Sequence, residues 1–212
     1  MKHKSQPLPY EFDQDGVEII QKESLFSRFF NVSLVTFKHK LFAGGWSEPV
    51  QREIFERGDA VVVLPYDPNR DEIVLIEQVR IGAILNAQNP WTFELVGGMV
   101  EENESIESVA LRETYEETGL ETTELLPMQS YLSSCGGTSE RIYLYVAKVD
   151  AQNIQPICGL DHENEDIKVH VFSRECVMDW LNQGKIENAS AIIGLQWLQT
   201  NLDKVTTAWQ TQ

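Results

Sequence analysis

Residues Gly97–Leu120, GGMVEENESIESVALRETYEETGL, decide how the rest of the chain is read. Ser105 suits a helix cap, and Glu107 suits the first turn behind it. Ile106, Val109 and Ala110 recur at helical spacing on one face, and Gly119 stands where a helix stops at a left-handed residue. Glu113, Glu116 and Glu117 continue nearly the same face, related by i, i+3 and i+4, so their carboxylates converge. They converge in the last turn, where the helix dipole disfavours negative charge and where they also repel one another. A helix built for stability alone would carry Lys or Arg there. A hard divalent cation relieves both penalties, and Mg²⁺ takes carboxylate oxygens together with substrate phosphate. Taken alone, the three glutamates read equally well as a solvated acidic face on an acidic protein. The spacing of the whole stretch decides between the two.

The chain has 212 residues, which suits one large domain or one domain with a small companion. Its hydrophobic content of 42% is enough for a real core, and its net charge is −16. Such a surface repels nucleic acid and anionic membranes, since both need a positive footprint. Cys135, Cys158 and Cys176 are an odd set without short paired spacing, against both a disulfide framework and a zinc site. No run of 18 apolar residues exists, and MKHKSQPLPYEF lacks the apolar core of a signal peptide. The expectation is a soluble cytoplasmic protein.

Pro7 and Pro9 make residues 1–12 a loose arm. Val17–Lys22 and Phe29–Lys40 read as strands, and Trp46–Phe55 as another, interrupted by Pro49. This β-rich segment is too small to hold its own core comfortably. AVVVLPY after Asp59 is a continuous buried strand, and after the turn DPNRD comes a second, EIVLIEQVR, the pair forming a hairpin. Trp91–Val96 reads as one short strand leading into the glycines. Leu125–Ser133, Arg141–Val149 and Ile167–Phe172 read as further strands, with the acidic run Asp161–Asp166 as a loop. Ser173 caps a helix to about Leu181, and Asn188 caps a last helix with Ala191, Ile192, Leu195 and Leu198 on its apolar stripe. This order gives an α/β fold, a mixed sheet covered by helices on both faces.

The fixed identities Gly98, Glu104, Arg112, Glu113, Glu116, Glu117 and Gly119, at their spacing, resemble the Nudix box of hydrolases that cleave nucleoside diphosphates linked to another group. Chance agreement is on the order of 10⁻⁸ per starting position, which removes coincidence as an explanation. Thr114 occupies a position that is usually aliphatic and is small enough to pack there. Beyond the box, REIFERG (52–58), VLIEQVR (74–80), GGTSER (136–141) and the acidic loop before IKVHVF are similar to bacterial ADP-ribose pyrophosphatases. The resemblance implies a Nudix-type α/β/α sandwich over residues 58–212, and an N-terminal antiparallel β arm over residues 1–57 used for dimerisation.

It also implies hydrolysis of ADP-ribose to AMP and ribose 5-phosphate with Mg²⁺, Mn²⁺ substituting, in a homodimer with shared active sites. The implied metal ligands are Glu113, Glu117, Glu165 and the Gly97 carbonyl. Glu163 matches the general base, Glu116 belongs to the same helical cluster, and Arg112 orients a glutamate beside it. Arg80 matches an arginine on the substrate. Phe29 and Phe30, adjacent in a strand, fall near the adenine. Arg52 and Glu53 reach the substrate of the neighbouring subunit, and Arg57, Met99, Ser134 and Glu140 line the site. Cys135 stands where that subfamily commonly has proline. Preference for another nucleoside diphosphate sugar such as GDP-mannose, and a module that binds ADP-ribose without cleaving it, remain as alternatives. The intact set of box carboxylates speaks against the second.

Overall fold

The computed structural model describes residues 6–85, 87, 89–160, 162 and 164–210. They divide into two compact units: the described part of Met1–Arg57 with Ser133–Glu140, and Gly58–Leu132 with Arg141–Gln212. Among the described residues no helix is long and apolar enough to cross a membrane.

The first unit is an antiparallel sheet of β1 (Val17–Ser27), β2 (Asn31–His39) and β3 (Val50–Glu56), in that order. β3 begins only after Pro49, which has no N–H for the ladder, so the strand expected from Trp46 is shorter. Phe29 and Phe30 are not in a strand as expected; they form the bend between β1 and β2, closed by the Arg28 N–H donating to the Phe30 carbonyl at 2.9 Å. β1 is exposed along its whole length, including Ile19, Leu25 and Phe26. The segment Ser133–Glu140 joins this unit through the Phe55 N–H, which donates to the Gly137 carbonyl at 2.8 Å.

The second unit is built on β4 (Ala60–Asp67), β5 (Glu72–Val79), β6 (Trp91–Glu94), β7 (Val96–Met99), α1 (Ile106–Thr118), β8 (Leu125–Leu132), β9 (Arg141–Lys148), β10 (Ile157–Cys158), β11 (Ile167–Ser173), α2 (Arg174–Asn182) and α3 (Ala189–Gln210). The central path runs β10-β11-β5-β4-β9-β8, and the β4–β9 pair is parallel within an otherwise antiparallel sheet. Strand alternation sends Val61, Val63, Val74, Ile76, Tyr145 and Ala147 to one face, where Val109 and Ala110 of α1 cover them. Leu64, Tyr66, Ile73, Leu75, Leu144 and Val146 go to the other face, against Val177 and Met178 of α2 and Leu195 and Leu198 of α3. Both faces are therefore apolar, which is why these strands read as continuous hydrophobic runs. The result is the expected α/β/α sandwich with a mixed sheet.

The stretch expected as one strand, Trp91–Val96, is two. β4 and β5 pair only beside their turn, at Tyr66↔Ile73 and Asp67↔Glu72. Beyond that they part; β6 pairs with β5 and β7 with β4, filling the gap between them. Leu95 alone separates β6 from β7. The last helix carries non-helical backbone at Asn201, whose side-chain Nδ2 donates to the Trp197 carbonyl at 2.9 Å.

Candidate active site

The chemistry gathers where α1 ends above β7. Ser105 caps the helix by accepting from the Ser108 N–H, and Ser108 returns the bond to the Ser105 N–H. Gly119 ends it at φ 73°, where its N–H donates to the Tyr115 carbonyl. A Cβ on Gly119 would meet the flexible Gln155 side chain at 2.6 Å, which can move aside, so it is the left-handed turn that requires glycine. Thr114 is fully buried, and its hydroxyl donates to the Ala110 carbonyl at 2.7 Å, which satisfies a polar group in an aliphatic position.

Gly98 pairs with Val61 and so faces α1. A Cβ there would lie 1.8 Å from Glu113 Oε1, so the bare glycine is the cradle in which the Glu113 carboxylate rests. Glu117, 3% exposed, accepts the Gly97 N–H on Oε2 at 2.9 Å. Arg112 Nη1 donates to Glu113 Oε1 at 2.8 Å and to Glu116 Oε2 at 2.9 Å, and the other edge of its fork holds Glu104. Burial pushes the Glu113 carboxyl up to about 7; Arg112 opposes this, and repulsion from Glu116 and Glu165 adds to it. Burial also raises Glu117 well above the carboxylate range; the Gly97 N–H and Arg80 oppose, while Glu113 and Glu165 reinforce. Burial works against the Arg112 charge, but its bonds to Glu104 and Glu116 and the field of Glu113 outweigh it.

Glu165 is half-buried, and its segment turns back on itself. Its N–H donates to the Leu160 carbonyl at 3.3 Å, and a Cβ on Gly159 would meet the Glu165 carbonyl oxygen at 2.8 Å. The Gly159 N–H donates to the Glu116 carbonyl at 3.4 Å, tying the segment to α1. Glu163 lies outside the described residues. Glu113, Glu117 and Glu165 thus share one electrostatic neighbourhood, although among the described residues no three His, Cys, Asp or Glu side chains close into a ligand set. Arg112 holds Glu113 aside, and Gly97 holds Glu117. The donor set nonetheless fits a hard divalent cation: three repelling carboxylates, those of Glu113 and Glu117 largely desolvated, beside a glycine cradle.

Arg80 follows β5 and belongs to the same unit. Its Nε lies 3.1 Å from Glu94 Oε1 and its Nη2 2.8 Å from Glu94 Oε2, while Thr92 donates to Glu94 Oε1 at 2.6 Å. Burial works against the Arg80 charge, but Glu94, then Glu117 and Glu165, raise its pKa. Met99 is half-buried at the end of β7.

The remaining expected residues lie in the first unit. Arg57 Nε is 3.1 Å from Glu140 Oε1 without hydrogen-bond alignment, so the contact is an ion pair only. The Arg57 guanidinium sits 5.5 Å over the Phe30 ring, which meets Phe29 and Phe55 edge-on. Arg52 and Glu53 are exposed on β3, opposite Val35 and Leu34. The Ser134 carbonyl accepts from Gly137 and Thr138, closing the loop that exposes Cys135.

Sequence reasoning passed over Thr92, Glu94 and Gln78. Ile76 pairs with Glu94 and Gln78 with Thr92, so all four point to the α1 face. Glu94 and Gln78 are each 6% exposed, and Gln78 Nε2 has no partner among the described residues. The available signal was an acid inside the otherwise apolar run WTFELV, which demands a cation nearby.

A NUDIX domain model matches residues 56–191. The chain is 50% identical over 206 residues to the ADP-ribose pyrophosphatase of Escherichia coli (strain K12), covering 97% of this chain and 99% of that protein. It is 46% identical over 202 residues to the ADP-ribose pyrophosphatase of Haemophilus influenzae, covering 94% and 93% of the two chains. A crystal structure of an ADP compounds hydrolase superposes with a TM-score of 0.68 over 89% of this chain and 95% of that one, at 21% identity.

Proposed function

The chain belongs to the NUDIX domain family, and from that premise we propose that it hydrolyses the pyrophosphate of ADP-ribose to AMP and ribose 5-phosphate. The observation that carries the substrate is the 50% identity over 97% of the chain, which extends through the N-terminal strands beyond the span matched by the family model. The buried carboxylates and the braced Arg80 support the reaction class.

Water oxygen bonds to one phosphorus as the anhydride P–O bond breaks, and the displaced phosphate leaves as a monoester. Glu113, Glu117, Glu165 and the Gly97 carbonyl would hold Mg²⁺, or Mn²⁺ in its place, which when bound neutralises pyrophosphate oxygens and acidifies water. Glu163 takes the proton of the attacking water as general base. Arg112 keeps Glu113 and Glu116 oriented. Arg80 meets phosphate oxygens, and Met99 borders the site. Phe29, Phe30, Arg57, Ser134 and Glu140 bind the remainder of the nucleotide, with Arg52 and Glu53 supplied across a homodimer. The exposed apolar side chains Ile19, Ile20, Leu25 and Phe26 of β1 support such a dimer. The three free cysteines support a cytoplasmic setting.

The test is a panel of nucleoside diphosphate sugars, GDP-mannose included, incubated with Mg²⁺ or with EDTA, and products separated by chromatography. AMP and ribose 5-phosphate from ADP-ribose, with Mg²⁺ only, is the expected result. Faster cleavage of another sugar nucleotide overturns the substrate, and no cleavage of any overturns the enzyme.

A further inference from the structure

Arg80 is an odd arginine. Its side chain is 48% exposed, yet its partner Glu94 is 7% exposed and fully committed. Both Glu94 oxygens accept from the Arg80 fork, and Oε1 accepts from Thr92 as well. The fork spends Nε and one edge of Nη2 on this carboxylate, and Nη1 has no hydrogen-bond partner among the described residues. An ion pair buried on one side only is weak support for a fold, since an apolar pair would serve as well. It is effective support for a direction: a bidentate clamp fixes the plane of a guanidinium and leaves the opposite edge open.

Register shows where that edge lies. Ile76, Gln78 and Arg80 recur at the strand period, and Glu94 and Thr92 pair with the first two, so the whole row is on the face that α1 covers. The Arg80 N–H donates to the Pro90 carbonyl at 2.8 Å, so the ladder continues through Arg80 itself. The charges of Glu117 and Glu165 also act on Arg80.

We propose that Glu94 is a positioning residue: braced by Thr92, it holds the Arg80 guanidinium so that its open edge receives the substrate's phosphate oxygens. This rests on the hydrolase reading above and adds to it a group that touches no substrate.

The test is a double-mutant cycle on Glu94 and Arg80, read by calorimetric binding of ADP-ribose in EDTA and by turnover with Mg²⁺. Glu94→Gln weakens binding and raises KM about tenfold, with kcat within about threefold of wild type. Glu94→Asp recovers part of the loss, and the Mg²⁺ requirement is unchanged. In the Arg80→Ala background Glu94→Gln has no further effect, because the arginine it serves is gone. Thr92→Val, nearly isosteric, gives a smaller loss in the same parameter and carries the cycle if Glu94→Gln does not fold. Full additivity with Arg80→Ala, unchanged binding, or a fall in kcat alone overturns the proposal. A wild type that binds ADP-ribose without cleaving it overturns hydrolysis instead, and the binding cycle still decides on Glu94.

Discussion

The backbone N–H of Gly97 donates to Glu117 Oε2 at 2.9 Å across a sequence separation of 20 residues. One bond thereby ties β7 to the last turn of α1 and gives a nearly inaccessible carboxylate its hydrogen-bond donor.

Glu117→Gln keeps an acceptor for Gly97 and removes an ionisable group from a desolvated position. The expected melting temperature is equal to or above that of wild type. Turnover with Mg²⁺ falls by at least about 100-fold, because an amide is a poor ligand for a hard cation. Calorimetry for melting and chromatography for AMP check the two halves; retained turnover would remove Glu117 from the site.

Gly98→Ala separates shape from charge. Its Cβ takes the place of Glu113 Oε1, 1.8 Å away. The backbone there has negative φ, so alanine is tolerated in β7. Activity falls about tenfold or more as Glu113 is displaced from its cradle, with a stability loss of about 1 kcal/mol or less. Equal losses in both would show a packing role only.

Asp71 offers a pH signature. Its carboxyl is held low by the Arg174 guanidinium, at 2.6 and 2.8 Å, and further by the Tyr66 hydroxyl. A folded-state pKa below the unfolded value, about 3.9, means stabilisation that is present above it and lost as pH falls through the folded one. Asp71→Asn therefore melts lower than wild type at pH 7, and the gap narrows below about pH 4. Asparagine tolerates the backbone here, φ 57°. A gap independent of pH would rule out the charge as its source.

Glu163 and Glu165 differ in task under the proposed mechanism. Glu163→Gln lowers kcat by about 10²–10⁴ with little change in KM, the range of a lost general base. Glu165→Gln shifts the Mg²⁺ requirement upward and recovers in excess Mg²⁺. A Mg²⁺ titration of both variants distinguishes them, and recovery of Glu163→Gln at high Mg²⁺ would end its assignment as base.

The dimer is tested on β1. Ile19→Glu with Phe26→Asp places charge on its exposed apolar positions. Wild type is expected to scatter light as a dimer and the variant as a monomer with reduced activity. A monomeric, active wild type would refute the shared site.

Where local chemistry dictates structure, the sequence was readable. Ser105 and Gly119 bound α1, and Ser173 and Asn188 cap α2 and α3 as their side chains foretell. The two-faced burial of AVVVLPY followed from its unbroken apolar run. Pairing was not readable. WTFELVGGM has no turn residue between β6 and β7, although the chain changes pairing partner there, from β5 to β4. Glu94 went unnoticed for the same reason: its role depends on a strand neighbour 14 residues away. Phe29 and Phe30 look like strand residues by type, and only the β1–β2 register places them in the bend.

The exchange of partners at Leu95 has a mechanical meaning. One arm, β5 with β6, carries Arg80 and Glu94; the other, β4 with β7, carries Gly97 and Gly98. Leu95 is the rivet between them. Its side chain points away from the chemistry into the opposite layer, where a Cβ on Gly194 of α3 would meet its Cδ1 at 2.8 Å. The alignment of Arg80 with the Gly97–Gly98 backbone is therefore gauged in part from the far side of the sheet, where Leu95 packs against α3.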